Sequence, residues 1–307
     1  MFKKYEATLM KLLEPHKIAK VEEISIGWNS LVFMVDDRYI VKIPRSAESS
    51  GQLEKEIEVL KIIERSISVE VPKYFAVARD RLITGAAYKA INGCLLTRQK
   101  FERPVCTIDP VTQLTETEQN SISAQLGELL GKIHSLNDSA LKSRLSKFGD
   151  DDWRNYIIRL IQSLLEPLSK VFTASEVEKA VSFLLRLRDE MLTFHIEGRF
   201  IHGDFGGWNI IIDPEKRMIR GVIDWSNSRI GDPAWDFTEL VYDFGWEMAE
   251  KSIANYPFDM GKDFRRRVDT YLLLSGFLDI EYGYRTGNQK MIEKGKGEVL
   301  GHSEVFY

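Results

Sequence analysis

The chain has 307 residues, 44% of them hydrophobic and 29% charged, with a formal net charge of −4. This supplies ample core for an enzyme-sized protein, and no apolar run approaches the roughly 18 residues needed to cross a bilayer, which excludes a membrane protein. Two cysteines, Cys94 and Cys106, exclude a disulfide framework and read as reduced thiols, and the five histidines show no zinc spacing.

The stretch from Met1 to Tyr5 runs into an amphipathic pattern without the apolar core of a signal peptide, so a cytoplasmic location follows. Charge is uneven: residues 1–150 carry 22 basic and 20 acidic side chains, residues 151–307 carry 20 and 26. An acidic second part argues against a nucleic-acid partner and would attract a cationic small molecule, although an ordinary solubilising surface accounts for it equally well.

In chain order, Val21 to Ile26, Leu31 to Val35 and Arg38 to Ile43 alternate as strands of a small antiparallel sheet, separated by Gly27-Trp28-Asn29-Ser30 and by a hairpin at Asp36-Asp37. Lys42 is flanked by β-branched residues, so its ammonium needs a partner or a phosphate unless that strand face is open to solvent. The next helix, from about Gly51 to Ser66, has an apolar stripe of Leu53, Ile57, Leu60 and Ile63. Glu56 falls within that stripe whereas Glu54 and Glu58 project away, so Glu56 is the inward acid and Lys42 its candidate cation. The turn ending at Ser30 would cover a nucleotide with its backbone N–H groups. It holds one glycine where a protein kinase has three, and an ordinary hairpin turn reads as well.

Tyr74 to Ala78 and Arg81 to Ile91 read as two further strands, and Asn92-Gly93 ends the sheet. The boundary of a nucleotide-binding lobe is placed there, with residues 1–93 before it and 94–307 forming a catalytic and acceptor-binding lobe. Lys89, Ala90 and Ile91 then run along the connection, where extended backbone can meet a purine edge, with Tyr88 behind it or simply in the core. From Glu116 onward the period is helical, including Trp153 to Leu165 and Val177 to Leu192. His134 and His195 end such helices and need no chemistry there.

The most informative stretch is His202-Gly203-Asp204-Phe205-Gly206-Gly207-Trp208-Asn209, followed by Asp224 within Val222-Ile223-Asp224-Trp225. A loop followed by a hairpin would bring Asn209 and Asp224 close together as hard oxygen ligands for Mg²⁺ with substrate phosphates, while Asp204 faces an incoming hydroxyl. A tight turn with a strand-capping Asp is the plainer alternative. Asp236 follows soon after Asp224, with no Ala-Pro-Glu signal, which leaves no room for a protein-kinase activation segment and favours a small-molecule acceptor. Asp236 should brace the loop together with His202. Phe237, Leu240, Val241, Phe244 and Met248 form the apolar stripe of the next helix, and Glu239, Asp243, Glu247 and Glu250 an acidic face. With Asp232, the residues Glu239, Asp243 and Glu247 are the candidate wall for a cationic acceptor, against a plain solvated face.

Across nearly its whole length the chain resembles the aminoglycoside phosphotransferase family, a kinase-like group. The resemblance rests on Ile201-His202-Gly203-Asp204-Phe205, Asn209, Ile223-Asp224-Trp225-Ser226 and Gly231-Asp232-Pro233. The His202 to Asn209 block and Ile223 to Ser226, with Phe148-Gly149 and Trp153-Arg154, are most similar to hygromycin B phosphotransferases. The N-terminal lobe and Gly127 to Leu136 also resemble the 2''-aminoglycoside kinases, which carry Asn in place of Gly203 and His in place of Asn209. The resemblance implies an α+β, two-lobed protein-kinase-like fold and direct transfer of the γ-phosphoryl group of ATP or GTP, with Mg²⁺, to a hydroxyl of an aminoglycoside-type antibiotic.

On this reading Asp204 is the catalytic base, Asn209 and Asp224 hold the metal, and Lys42, Glu56, Ser30, Lys89 and Ile91 serve the nucleotide. The partners are a nucleoside triphosphate and a cationic small molecule, with no nucleic acid and no membrane, and the protein is a monomer. A kinase of another metabolite (choline, thiosugar or macrolide) would use the same residues. A non-catalytic nucleotide-binding protein and a Mg²⁺-dependent phosphohydrolase are the rivals from other classes.

Overall fold

The computed structural model of the protein describes residues 4–26, 29–100 and 105–305. Gly27 and Trp28, of the turn expected over the nucleotide, lie outside the described residues. The chain forms two compact units: Met1–Asp151, Arg199–Ile230 and Glu239–Phe258 make the first, and Asp152–Gly198, Gly231–Thr238 and Asp259–Tyr307 the second.

Helix α1 (Glu6–Leu13) precedes strands β1 (Val21–Ile26), β2 (Ser30–Val35) and β3 (Tyr39–Pro44); helix α2 (Ala47–Ile63) is followed by β4 (Tyr74–Asp80) and β5 (Leu82–Lys89). The five strands pair antiparallel in the order β1-β2-β3-β5-β4. Alternation along β3 assigns its side chains to two different cores. Tyr39, Val41 and Ile43 belong to the core that buries Leu9, Leu12 and Leu13 of α1. Ile40 and Lys42 therefore face the other side of the sheet, where Leu53 and Ile57 of α2 pack on Ile83 and Ala86 of β5. Lys42 stands opposite Ala86 in the strand register, a small neighbour that leaves the ammonium room to turn toward α2. The helix begins earlier than its apolar period suggests, because Ser46 caps it: its hydroxyl accepts the Ser49 N–H at 3.1 Å.

Strands β6 (Cys94–Leu96) and β7 (Thr107–Ile108) lead to helices α3 (Glu116–His134) and α4 (Ser139–Lys147), and then to α5 (Trp153–Val171) and α6 (Ala174–Met191) of the second unit. The chain returns to the first unit through β8 (Arg199–Ile201), β9 (Ile210–Asp213) and β10 (Met218–Val222); β11 (Arg229–Gly231) and α7 (Pro233–Phe244) contribute residues to both units, and α8 (Trp246–Ile253) belongs to the first. The hairpin β9-β10 joins β6 and β7 in a four-stranded sheet ordered β10-β9-β6-β7. Its inner residues Ile210, Ile212 and Val222 are fully buried. In the second unit α5, α6, α9 (Phe264–Leu272), α10 (Ser275–Thr286) and α11 (Gln289–Val305) pack around edge-to-face contacts of Trp153, Trp235 and Tyr271, at 5.2 to 5.9 Å between ring centroids. No described helix is long and apolar enough to cross a membrane.

Two expectations are corrected by the fold. Cys94 and Cys106 are joined as a disulfide, with their Cα atoms 4.7 Å apart. The parallel pairing of β6 with β7, Leu95 opposite Thr107, places them side by side, a juxtaposition that two isolated cysteines do not announce. The acidic face also does not lie on one helix. Gly245, at φ 86°, ends α7 and turns the chain into α8, so Glu239 and Asp243 ride on one helix and Glu247 and Glu250 on the next.

Protein unfolded without reductant should therefore expose no thiol to a chromogenic thiol reagent, and two after reduction. Replacing both cysteines by Ser should lower unfolding stability by about 3 kcal/mol, the chain-entropy value for a loop of this size. Two reactive thiols before reduction would show the pair to be open.

Candidate active site

Five of the predicted residues lie in the first unit as two contacting sets, Lys42 with Glu56 and Asp224, and Asn209 with Asp204. Lys42, on β3 and 5% exposed, directs its ammonium between two carboxylates. Its Nζ lies 2.8 and 3.0 Å from the oxygens of Glu56, itself 1% exposed, and 3.1 Å from Asp224 Oδ1. Burial opposes the charge on Lys42, but Asp224 and Glu56 outweigh it and hold the ammonium well above its ordinary range. Burial likewise pushes Glu56 up against the pull of Lys42. Asp224 sits at the open end, its side chain 42% exposed. Burial works against its ionised form too, yet the Lys42 charge and hydrogen bonds from Lys42 and Ser226 keep its carboxyl below the usual range.

Backbone geometry aims these groups. Asp224 has left-handed torsions, φ 62° and ψ 65°, a conformation that a non-glycine residue adopts at some cost and that recurs at functional sites. This turn directs its carboxylate away from the course of β10 and toward Lys42. The Ile223 N–H donates to the Asn209 carbonyl at 2.9 Å, so the hairpin locks the segment carrying Asn209 to the one carrying Asp224. Asn209 donates Nδ2–H to both the carbonyl and Oδ2 of Asp204, each at 2.9 Å. Its amide is thereby oriented, and its own Oδ1 faces outward from that pair.

Asp204 is held from two sides, since Trp208 donates its indole N–H to Oδ1 at 3.1 Å. Sequence reasoning missed Trp208, whose signal was available only as an aromatic residue next to Asn209. His202 is fully buried and packs edge-on to Trp225 at 4.5 Å. It receives the Asp204 N–H at Nδ1 and donates from Nε2 to the Ile223 carbonyl at 3.1 Å, which joins the two segments once more. Two glycines are required by close approach: a Cβ at Gly203, where φ is 80°, would collide with the Asn227 carbonyl, and one at Gly207 with the Leu96 carbonyl and the Asp243 carboxylate.

Oxygens suited to a hard cation are present. Asn209 Oδ1 and Asp224 Oδ2 accept no hydrogen bond among the described residues, and no group of three or more His, Cys, Asp or Glu gathers there as an all-protein cage. Two protein oxygens with phosphates and water making up the rest is the ligation that suits Mg²⁺.

The remaining predicted residues lie outside this set of contacts. Ser30 is buried at the start of β2, paired with Pro44. Lys89 ends β5 and is exposed, Ala90 donates its N–H to the Arg38 carbonyl, and the Ile91 N–H has no backbone partner among the described residues. In the second unit Asp236 is fully buried in the first turn of α7. Asp232 caps that helix by accepting the Ala234 N–H at 3.0 Å; its other oxygen accepts the Tyr271 hydroxyl at 2.8 Å and lies 3.0 Å from Arg267 Nε. Its carboxylate is engaged inside the protein. Asp243 is 4% exposed and accepts the Arg98 N–H at 3.1 Å, while Glu247 is open to solvent and ion-paired with Lys251.

A family model described as the phosphotransferase enzyme family matches residues 20–261. The chain belongs to that family. Among curated proteins it is 27% identical over 198 residues to acyl-CoA dehydrogenase family member 10 of Mus musculus, which covers 63% of this chain and 17% of that protein. It is 25% identical over 138 residues to the viomycin phosphotransferase of Streptomyces vinaceus, covering 44% of this chain and 45% of that one. The chain thus spans less than half the length of these curated relatives. Its fold is shared with a GDP complex of aminoglycoside 2'-phosphotransferase-IIIa (TM-score 0.79, 18% identity, 99% of both chains) and with a macrolide 2'-phosphotransferase type I (TM-score 0.69, 20% identity, 97% and 95%). The two-lobed, kinase-like α+β fold expected from the motifs is the one observed.

Lys42→Met should leave Glu56 buried without its cation. A destabilisation of about 3–5 kcal/mol is expected for such a half-removed pair, read from urea unfolding. An unfolding midpoint equal to that of the wild type would show that Glu56 is not paired in this way.

Proposed function

We propose that the protein is a small-molecule kinase that transfers the γ-phosphoryl group of ATP or GTP to a hydroxyl of an aminoglycoside-type antibiotic. What carries the reading is two contacting sets, Glu56–Lys42–Asp224 and Asn209–Asp204, joined by the hydrogen bond from the Ile223 N–H, next to Asp224, to the Asn209 carbonyl. Together they join a buried phosphate-seeking cation to two metal-type oxygens and a carboxylate base. Kanamycin, gentamicin and streptomycin appear as ligands of proteins with this fold, and viomycin gives its name to a relative.

In this mechanism the acceptor oxygen attacks the γ-phosphorus as Asp204 takes its proton, and the bond from that phosphorus to the β–γ bridging oxygen breaks, releasing ADP or GDP. Asp204 is preset for this by Trp208 and Asn209. Lys42, steadied by Glu56, moves from Asp224 toward the α- and β-phosphates. Mg²⁺ bound by Asn209 and Asp224 would neutralise charge on the phosphate oxygens. Residues 1–93 form the nucleotide lobe, in which Ser30 lies by the phosphates and Lys89 and Ile91 line the purine edge. Residues 94–307 supply catalysis and acceptor binding, with His202 and Asp236 bracing the loop. Binding energy acts mainly through positioning. The setting is the cytoplasm, where nucleoside triphosphates are available, and the protein is a monomer.

A second reading, phosphorylation of a less charged hydroxyl such as that of a macrolide sugar, is favoured by one observation. Asp232 and Asp243 are buried and Glu247 is ion-paired, which thins the acidic wall, while Trp208, bonded to Asp204, lies edge-on to the exposed Tyr242 at 6.3 Å.

Purified protein with Mg²⁺ and ATP or GTP, offered aminoglycosides including hygromycin B together with macrolides, should add one phosphoryl mass to a member of the panel, and a chelator should abolish it. Asp204→Asn should lower turnover by at least about 10²-fold while nucleotide affinity stays near wild type. Turnover at the wild-type rate in that variant would remove Asp204 from the base role; no transfer to any aminoglycoside would leave the macrolide or metabolite reading.

A further inference from the structure

Helix α2 presents two charged residues inward, one after the other. Glu56 faces Lys42, whereas Lys55, about 100° around the helix, points toward a different part of the first unit. Lys55 is only 3% exposed, and its Nζ lies 2.6 Å from Asp150 Oδ2. Asp150 Oδ1 in turn accepts from Arg229 Nη1 at 3.2 Å, and the Asp150 carbonyl accepts the Ile230 N–H at 2.8 Å. Arg229, 7% exposed, also donates its Nε–H to the Asn227 carbonyl at 2.9 Å. Asp150 therefore clips a helix residue on one side to the strand that follows Asp224 on the other.

Simple stability is a poor reason for this arrangement. Three charges taken out of water carry a desolvation penalty that their attraction offsets only in part, and well-packed apolar residues of similar size are often as stable or more so. Burial, and after it the neighbouring Arg229, push the Lys55 ammonium down to about 8 even though Asp150 pulls the other way. What the network does provide is direction. A buried Lys can satisfy its donors only where Asp150 is, so it fixes both the rotation and the axial position of α2. An apolar residue would tolerate a small roll or slide, and a displacement of about 1 Å at a reactive group can cost about 10²-fold in rate.

We propose that Lys55, Asp150 and Arg229 form a permanent brace that holds α2 at the register where Glu56 reaches Lys42, and ties that register to the segment carrying Asp224. Lys55 is then a positioning residue for phosphate binding. This rests on Lys42 being the phosphate-contacting lysine. It also supplies a physical counterpart to the short run between Asp224 and Asp236: with no long segment able to set or release the helix, the helix is tied down directly.

The test compares Mg²⁺-ATP and Mg²⁺-GTP affinity by calorimetry, alongside thermal unfolding, in the full chain. Lys55→Met, which leaves Asp150 buried with Arg229 alone, should weaken nucleotide binding about tenfold when measured well below its unfolding temperature, and Lys55→Arg should restore binding. In a Glu56→Gln background, Lys55→Met should add nothing, because it acts through Glu56. Nucleotide affinity within about twofold of wild type in Lys55→Met, or an equal further loss in the Glu56→Gln background, overturns the brace. Lys42→Met is the separate control: if it keeps full affinity when measured below its unfolding temperature, the assignment of Lys42 fails and the brace falls with it.

A second measurement needs no apolar variant. Among Asp150, Arg229 and Glu56, the charged groups that face it, Lys55 is positive below about 8 and neutral above. Wild-type affinity should fall as pH rises through that value and stay level in Lys55→Arg, whose guanidinium remains charged. Parallel pH curves for the two proteins would count against the proposal.

Discussion

The ammonium of Lys42 sits in the interior between Glu56 and Asp224, and much of the first unit is arranged around the need to keep it there. A buried cation without a counter-charge is not tolerated, so β3 must turn this one residue to the α2 side of the sheet, and α2 must turn an acid to meet it. The alternation that buries Val41 and Ile43 against α1 and the helical period that buries Leu53 and Ile57 satisfy both conditions at once. Charge pairing and apolar packing thus select the same register.

Asp224 links that pair to the loop that carries Asp204. Its left-handed backbone directs a carboxylate back toward Lys42 while the hairpin below it binds Asn209 through Ile223. His202, buried against Trp225, holds the other side of the loop to the same hairpin. The result is a loop whose Asp204 carboxylate is held by its neighbours, as the proposed transfer, which relies on positioning, requires. Trp208 belongs to this scaffold as much as to any acceptor pocket, because its indole N–H is directed at Asp204.

The carboxylates expected to face an acceptor are organised by different physics. Asp232 serves as a helix cap and ion-pair partner, and burial pushes its carboxyl up despite Arg267. Asp243 ties the end of β6 to α7, and burial raises it as well. Carboxylates spaced along a helix can thus read as a binding face while several of them hold backbone and neighbouring elements together.

The sequence by itself determined the strands of the first sheet, the inward acid of α2, and the loop and hairpin that carry Asp204, Asn209 and Asp224. All of these arise from short-range periodicities and turn chemistry that act within a few residues. The Lys42–Glu56 pair was legible for the same reason, since each partner broke the apolar pattern of its own element. Only the tertiary structure decided the features that join distant segments: the pairing of Cys94 with Cys106 across β6 and β7, the engagement of Asp232 by Tyr271 and Arg267, and the brace from Lys55 to Arg229. A lysine on a helix or an aspartate after a glycine carries no local mark of its partner. That partner is chosen when sheets close and helices pack, so the chemistry was visible in the chain and its supports only in the fold.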